Sequence, residues 1–315
     1  MAWLVEYIIL GKLDRACPPD RTMVGQITDI LARMILDSRG RPTIEVDCFV
    51  DGRFSARAAV PSGASTGSHE AVELRDGGPM WLGSGVQRSV DNVNTILKND
   101  LIGMSVHDQT LIDERLISAD GTPNKSLLGA NSILGCSLAI LRASAKERGI
   151  PLWKSIPGEW PVSVMPVPLM NILNGGAHAA TNVDVQEFMV VPYGFSDFTS
   201  ALRAGTETYH ALKEALKEKG LLSGIGDEGG FAPSLGRNEE GLELLVEAIE
   251  RAGYSSSTQI GIALDVAATE FYDSGGYSFD GKMIGGSELS SLYSSWIEKY
   301  PIVSIEDPFS EDDWG

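Results

Sequence analysis

The sequence predicts an α/β protein in two parts: a small α+β domain, then an α/β barrel built from strands that end in acids. Three observations carry this. From Ile27 to about Gly158, strand patterns come first and helical patterns second, the order of an α+β domain. Beyond Gly158 the order becomes strand, strand, helix, helix, strand, helix, strand. Two of those strands, 260–265 and 302–306, close on Asp265 and Glu306, and in a parallel barrel the C-terminal strand ends face the active site. Alternation sets Gly261, Ala263 and Asp265 on one face against Ile260, Ile262 and Leu264, and sets Ile302, Ser304 and Glu306 against Val303 and Ile305.

Taken in order, residues 1–22 read as a weakly ordered extension or a misassigned start. The stretch 1–10 is apolar apart from Glu6, too short to span a membrane, and lacks a basic n-region and a small-residue cleavage site. Met23 opens a clean apolar run into Ile27 and Ile30 and begins a first domain, 23–158. Within it, Thr43, Glu45 and Asp47 alternate with Ile44, Val46 and Cys48. Asp51-Gly52 then reads as a hairpin turn into a second strand over 53–60. The Gly- and Ser-rich segment Pro61-Ser62-Gly63-Ala64-Ser65-Thr66-Gly67 suits a lid loop, and 69–76 reads as a helical or turn segment backing it. Helical spacing follows over 86–97, 109–116 and 131–148, with Gly149 and Pro151 marking the last end.

The second domain, 159–315, follows Pro157, Gly158 and Pro161. Its strand over 183–191 carries Glu187 early, and two helices come next. The first spaces Phe198, Leu202, Gly205, Tyr209, Leu212 and Leu216 by fours and threes and ends at Gly220. The second takes Asn238 as its N-cap, with Glu239 and Glu240 in its first turn, and ends at Gly253. Between them Gly226-Asp227-Glu228-Gly229-Gly230 presents two adjacent acids on a Gly-rich loop. Two weaker patterns are set aside. Asn124-Lys125-Ser126 matches a glycosylation acceptor, and Gly83-Ser84-Gly85 starts like a dinucleotide loop without the third Gly or a preceding hydrophobic strand.

Composition narrows the function. The chain has 315 residues, 43% of them hydrophobic and 22% charged, which is ordinary for a globular protein. A net charge of -18 without a Lys or Arg run argues against a nucleic-acid-binding surface and makes divalent cations the more natural partners. Cys17, Cys48 and Cys136 fit neither a disulfide framework nor paired zinc spacing, which points to a reducing, cytoplasmic compartment. Glu187, Glu228, Asp265 and Glu306, each where a strand or loop ends, suit a metal site better than a charged surface.

Eight ordered motifs now carry a resemblance. They are Ile35-Leu36-Asp37-Ser38-Arg39-Gly40, the segment 61–67, Asn124-Lys125-Ser126 with Gly129-Ala130-Asn131, and Asn174-Gly175-Gly176-Ala177-His178-Ala179. Then come Gln186-Glu187-Phe188-Met189, the loop 226–233, Ala263-Leu264-Asp265 and Ser304-Ile305-Glu306-Asp307-Pro308. Together they make the sequence from Ile27 onward resemble the enolases, the phosphopyruvate hydratases of glycolysis. The resemblance implies an N-terminal α+β domain and an enolase-type ββαα(βα) TIM-like barrel whose second strand is antiparallel, which would bring Glu187 to the catalytic rim. It implies Mg2+-dependent dehydration of 2-phosphoglycerate to phosphoenolpyruvate, and the reverse in gluconeogenesis. Asp265 and Glu306 are then metal ligands, with Ser65 helping to hold a second ion. Glu228 is the general acid with Glu187 beside it, since two neighbouring carboxylates resist ionising together. His178, Gln186, Glu187 and Glu306 contact substrate. A homodimer or larger homo-oligomer is implied as well.

The pattern also departs from the family. A whole (β/α)8 barrel takes about 250 residues, and 161–315 offers four recognisable strands, about half of one. The family's third metal carboxylate, its catalytic Lys, its His-Arg-Ser loop and a second Lys find no counterpart in this sequence. The expectation is therefore a chain truncated at its C-terminus, with an exposed strand edge and poor solubility. The alternative to an enzyme is a non-catalytic homologue acting as an interaction or assembly partner.

Overall fold

Asp51 and Gly52 both have positive φ, 49° and 78°, the turn whose twist closes a tight antiparallel hairpin. They join β2 (Pro42–Val50) to β3 (Arg53–Ala59) as the Asp-Gly signal predicts. The computed structural model describes residues 25–63, 67–156, 165–176, 181–222, 224–226 and 229–315. Two compact units divide them: one holds the residues up to Ser62 and from His69 to Ile156, the other Gly63, Gly67, Ser68 and everything from Met165.

In the first unit the apolar run at Ile27 is a ten-residue strand, β1 (Ile27–Leu36), antiparallel to β2, so the sheet order is β1-β2-β3. The predicted alternation of β2 holds: Ile44, Val46, Cys48 and Val50 are fully buried. They pack with Ile30, Val60, Cys136, Ala139 and Ile140 into one core. The helices are α1 (Gln87–Asn92), a π turn over Val93–Leu97, α2 (Lys98–Leu101), α3 (Gln109–Asp120), α4 (Ala130–Glu147) and α5 (Leu152–Ser155). The helix expected over 86–97 thus continues through the π turn to Leu101. Residues 71–77 are irregular rather than helical. There Arg75 spends its guanidinium on the Pro42 and Ser84 carbonyls, the Ser62 hydroxyl and Glu73.

In the second unit β4 (Met170–Asn174) and β5 (Glu187–Val191) lead into α6 (Phe198–Glu218) and α7 (Glu239–Arg251), then β6 (Gly261–Asp265). A three-stranded meander follows, β7 (Tyr272–Asp273), β8 (Gly276–Phe279) and β9 (Lys282–Ile284), and then α8 (Gly286–Lys299) and β10 (Ile302–Glu306). The main sheet has the order β10-β6-β5-β4. β5 is antiparallel to both neighbours and β6 is parallel to β10. This is the expected ββαα(βα) arrangement with an antiparallel second strand. Among the described residues it stays open, a partial barrel, with nothing paired to the outer edge of β10. The meander has no counterpart in the sequence reading.

Alternation decides which sheet face meets the helices. Phe188, Val190, Ile262 and Leu264 pack with Leu212, Leu242, Leu245 and Trp296 in the main core. Met189, Val191 and Ala263 form a separate small cluster on the opposite face. Two local expectations change. The strand expected over 183–191 is regular only from Glu187. Asn238 does not cap α7: it already has helical dihedrals and no capping hydrogen bond. Its fully buried amide instead accepts from the Asp184 and Val185 N–H groups and donates to the Asp184 and Asp280 carboxylates. These bonds compete with capping, and they anchor the chain two residues before Glu187. No described helix is long and apolar enough to cross a membrane.

Candidate functional site

Strand register assembles the site. Asn174 of β4 lies opposite Glu187 of β5, Glu187 opposite Asp265 of β6, and Asp265 beside Glu306 of β10. Residues directly opposite in a sheet share a face, with neighbouring strands about 4.8 Å apart. One row of four polar side chains therefore crosses the sheet at the C-terminal ends of β6 and β10. Glu187 joins them from the N-terminal end of its strand only because β5 runs antiparallel. The row lies on the same face as Met189, Val191 and Ala263, away from the helices. Glu187 and Asp265 are half-buried and Glu306 is exposed.

The backbone just beyond the acids is bent sharply. Ala267 has φ 48° and Asp307 φ 45°, left-handed values that cost a non-glycine residue about 1 kcal/mol each. They occur two residues after Asp265 and one after Glu306. Two bonds hold the bends together: Val266 N–H donates to Glu306 O and Ala268 N–H to Asp307 O, both at 3.0 Å. Asp265 is oriented in turn, since its Oδ1 accepts the Ala267 N–H at 3.2 Å and its Oδ2 faces the Gln186 Nε2 at 3.5 Å. Gln186 is 4% exposed, and its Oε1 has no hydrogen-bond partner among the described residues.

The structure thus brings Gln186, Glu187, Asp265 and Glu306 together. Ser65, His178 and Glu228 lie outside the described residues. The flanks of Glu228 are nevertheless placed: Phe231 N–H donates to Ile172 O, Asn174 N–H to Phe231 O, and Gly226 N–H to Gly230 O. These bonds tie Phe231, on the C-terminal flank, to the outer edge of β4 at Ile172 and Asn174. The motif 174–179 gives Asn174 no role of its own. Its place in the row could have been read by pairing β4 with β5, had the register been known.

Chemically the row is a hard-oxygen surface. Unit charges about 5 Å apart repel by about 3 kcal/mol at an effective dielectric near 20, and a bound cation relieves such repulsion. Neighbouring carboxylates are the donor type that Mg2+ takes, with water and substrate oxygens completing its shell. Among the described residues no group of three or more His, Cys, Asp or Glu side chains closes around one point. A family model described as the enolase N-terminal domain matches residues 27–156, and one described as the enolase C-terminal TIM barrel domain matches residues 162–315.

Proposed function

The chain belongs to the enolase family, and from that premise we propose that it serves the Mg2+-dependent interconversion of 2-phosphoglycerate and phosphoenolpyruvate, a hydro-lyase reaction of glycolysis. The observation that carries this reading is the single row of Glu187, Asp265 and Glu306 at one end of the sheet. Removing a proton next to a carboxylate piles further negative charge on a group already negative, so the reaction depends on cationic stabilisation. Bound Mg2+ would supply that stabilisation, with Asp265 and Glu306 as its ligands from this chain. Gln186, held beside Asp265, orients the ligand carboxylate and leaves its Oε1 to accept from substrate. Glu187 sits between Asp265 and Asn174 in the row, and with Glu228 it would meet the departing hydroxyl as the acid. Ser65 and His178 keep the lid and substrate-contact roles that the resemblance assigns them. The buried free thiols Cys48 and Cys136 support a reducing, cytoplasmic setting.

The test is phosphoenolpyruvate formation from 2-phosphoglycerate by the natural protein, with Mg2+ and with a chelator. Mg2+-dependent formation that Asp265→Asn or Glu306→Gln reduces at least about 100-fold is expected. Absence of turnover together with association with a complete enolase would favour the assembly-partner reading. The open outer edge of β10, with Val303 54% exposed, is the observation on that side.

A further inference from the structure

Asn174 is fully buried, and neither its Nδ2 nor its Oδ1 has a hydrogen-bond partner among the described residues. An apolar side chain would avoid the cost of that burial, so the amide needs an explanation. Its neighbours supply one. The β4–β5 register shifts between Asn171 and Leu173, so that Asn171 opposes Met189, Leu173 opposes Phe188 and Asn174 opposes Glu187. Plain alternation would put Asn171 and Leu173 on one face. The bulge instead sends Ile172 and Leu173 into the helix-facing core and turns both asparagines toward the carboxylate face, the re-aiming that bulges perform. The Gly175 N–H donates to Gln186 O at 3.0 Å. Asn174 and Glu187 are therefore a non-hydrogen-bonded pair, the kind whose side chains stand closest.

On its other side Asn174 meets the acid-bearing loop. A Cβ on Gly230 would lie 2.1 Å from the Asn174 Oδ1. The backbone of β4 is close as well, with Ile172 C and Leu173 N each 3.0 Å from that Cβ, so the Asn174 amide is the nearest but not the only atom in the space of a side chain. Gly229 before it has φ +90° and returns its N–H to Gly226 O. Tyr209 stacks on Phe231 at 4.5 Å, with its hydroxyl donating to Gly229 O at 3.3 Å. Backbone bonds to Phe231 would form with any residue at 174. What the side chain adds is contact with Gly230, two positions from Glu228. An Asp there would add another charge to the row, and a Leu would offer the Gly230 peptide no polar end.

We propose that Asn174 is a positioning residue that fixes Gly229–Phe231, the described flank of the segment carrying Glu228, against the edge of β4, in partnership with Gly230. Its effect on catalysis rests on the enolase reading above; its effect on the loop does not. The test is a double-mutant cycle of Asn174→Ala and Gly230→Ala in the full-length protein, read by amide hydrogen exchange and by turnover. Asn174→Ala is expected to speed exchange at Gly226, Gly229 and Phe231 by roughly 10- to 100-fold while β6 amides stay within about twofold. Gly230→Ala should be less disruptive in the Asn174→Ala background than alone, because the clashing amide is gone. Turnover should fall roughly 10- to 100-fold in kcat with KM within about threefold. Additive effects of the two substitutions, or a loop whose exchange does not change, would overturn the proposal. An exchange profile that collapses throughout the second unit would assign Asn174 to the fold and overturn it as well. The full loop effect without any turnover even in the wild-type protein would support the positioning role while removing the enolase reading.

Discussion

Asp47 shows how a single charged side chain is held where the sheet would otherwise expel it. It is 3% exposed, and burial alone would push its carboxyl up. The guanidinium of Arg57, at 2.6 Å, and that of Arg33 outweigh burial and hold it below the ordinary carboxylate range. A depressed carboxyl contributes stability above its unfolded pKa, about 4, and loses it as pH falls through the folded value. Asp47→Asn is therefore expected to destabilise the first unit by about 1–2 kcal/mol at pH 7, a loss that shrinks as pH falls below about 4 and through the lowered folded value. The figure is discounted because Arg33 and Arg57 remain 37% and 50% exposed and water screens them. Chemical denaturation of both proteins over a pH series downward from 7 measures the loss and its decline. The same scale decides what the sequence could show of the site. Asp265 and Glu306 were legible because an acid ending an apolar strand breaks an otherwise uniform pattern. Asn174 was not, because its meaning depends on the partner across the sheet and on a bulge that pairing alone defines. Asn238 misled for a related reason: its sequence neighbours suit a cap, but Asp184 and Asp280, distant in sequence, claim its amide.

Elements with strong periodicity were read correctly: α6, α7, β2, β6 and β10 follow from apolar spacing and their end signals. Their bounds and partners were less legible, since pairing partners, bulges and the π turn after α1 depend on contacts between distant residues. The short strands of the meander, two to four residues each, are shorter than any alternation that a sequence window can register. Packing between elements brings its own constraint at Gly241, where α7 crosses β5. A Cβ there would lie 2.6 Å from Phe188 Cε1, inside a core that cannot give way cheaply. Gly241→Ala should gain about 1 kcal/mol of helix propensity and lose about 1–3 kcal/mol to overpacking. The net expectation is a melting temperature lowered by a few degrees, roughly 2–6 °C. Adding Phe188→Leu should cost less in the Gly241→Ala background than in the wild type, which a melting-based cycle would show. A Gly241→Ala chain more stable than wild type would mean that α7 shifts freely on the sheet.

At the scale of the molecule, the two units carry separate cores. One is built around Ile44, Val46 and Ile140, the other around Phe188, Leu245 and Ile262. Only the second contains the carboxylate row. A ligand that binds the folded row and not the unfolded chain stabilises by RT ln(1 + [L]/Kd), about 2.7 kcal/mol when free Mg2+ is 100 times its Kd. Calorimetry is therefore expected to resolve two transitions, of which Mg2+ raises one and leaves the other in place. The variants identify which is which. Gly241→Ala should lower the Mg2+-sensitive transition, and Asp47→Asn the insensitive one. Asp265→Asn should abolish the Mg2+ shift, and it should do so even if the chain turns over no substrate, because binding to the row requires only the ligand carboxylates. A Mg2+ effect of equal size on both transitions would mean that the ion acts on the diffuse negative charge of the whole surface, and high concentrations of a monovalent salt would then reproduce it. A shift that survives both Asp265→Asn and Glu306→Gln would place the ion elsewhere and remove the row as the metal site.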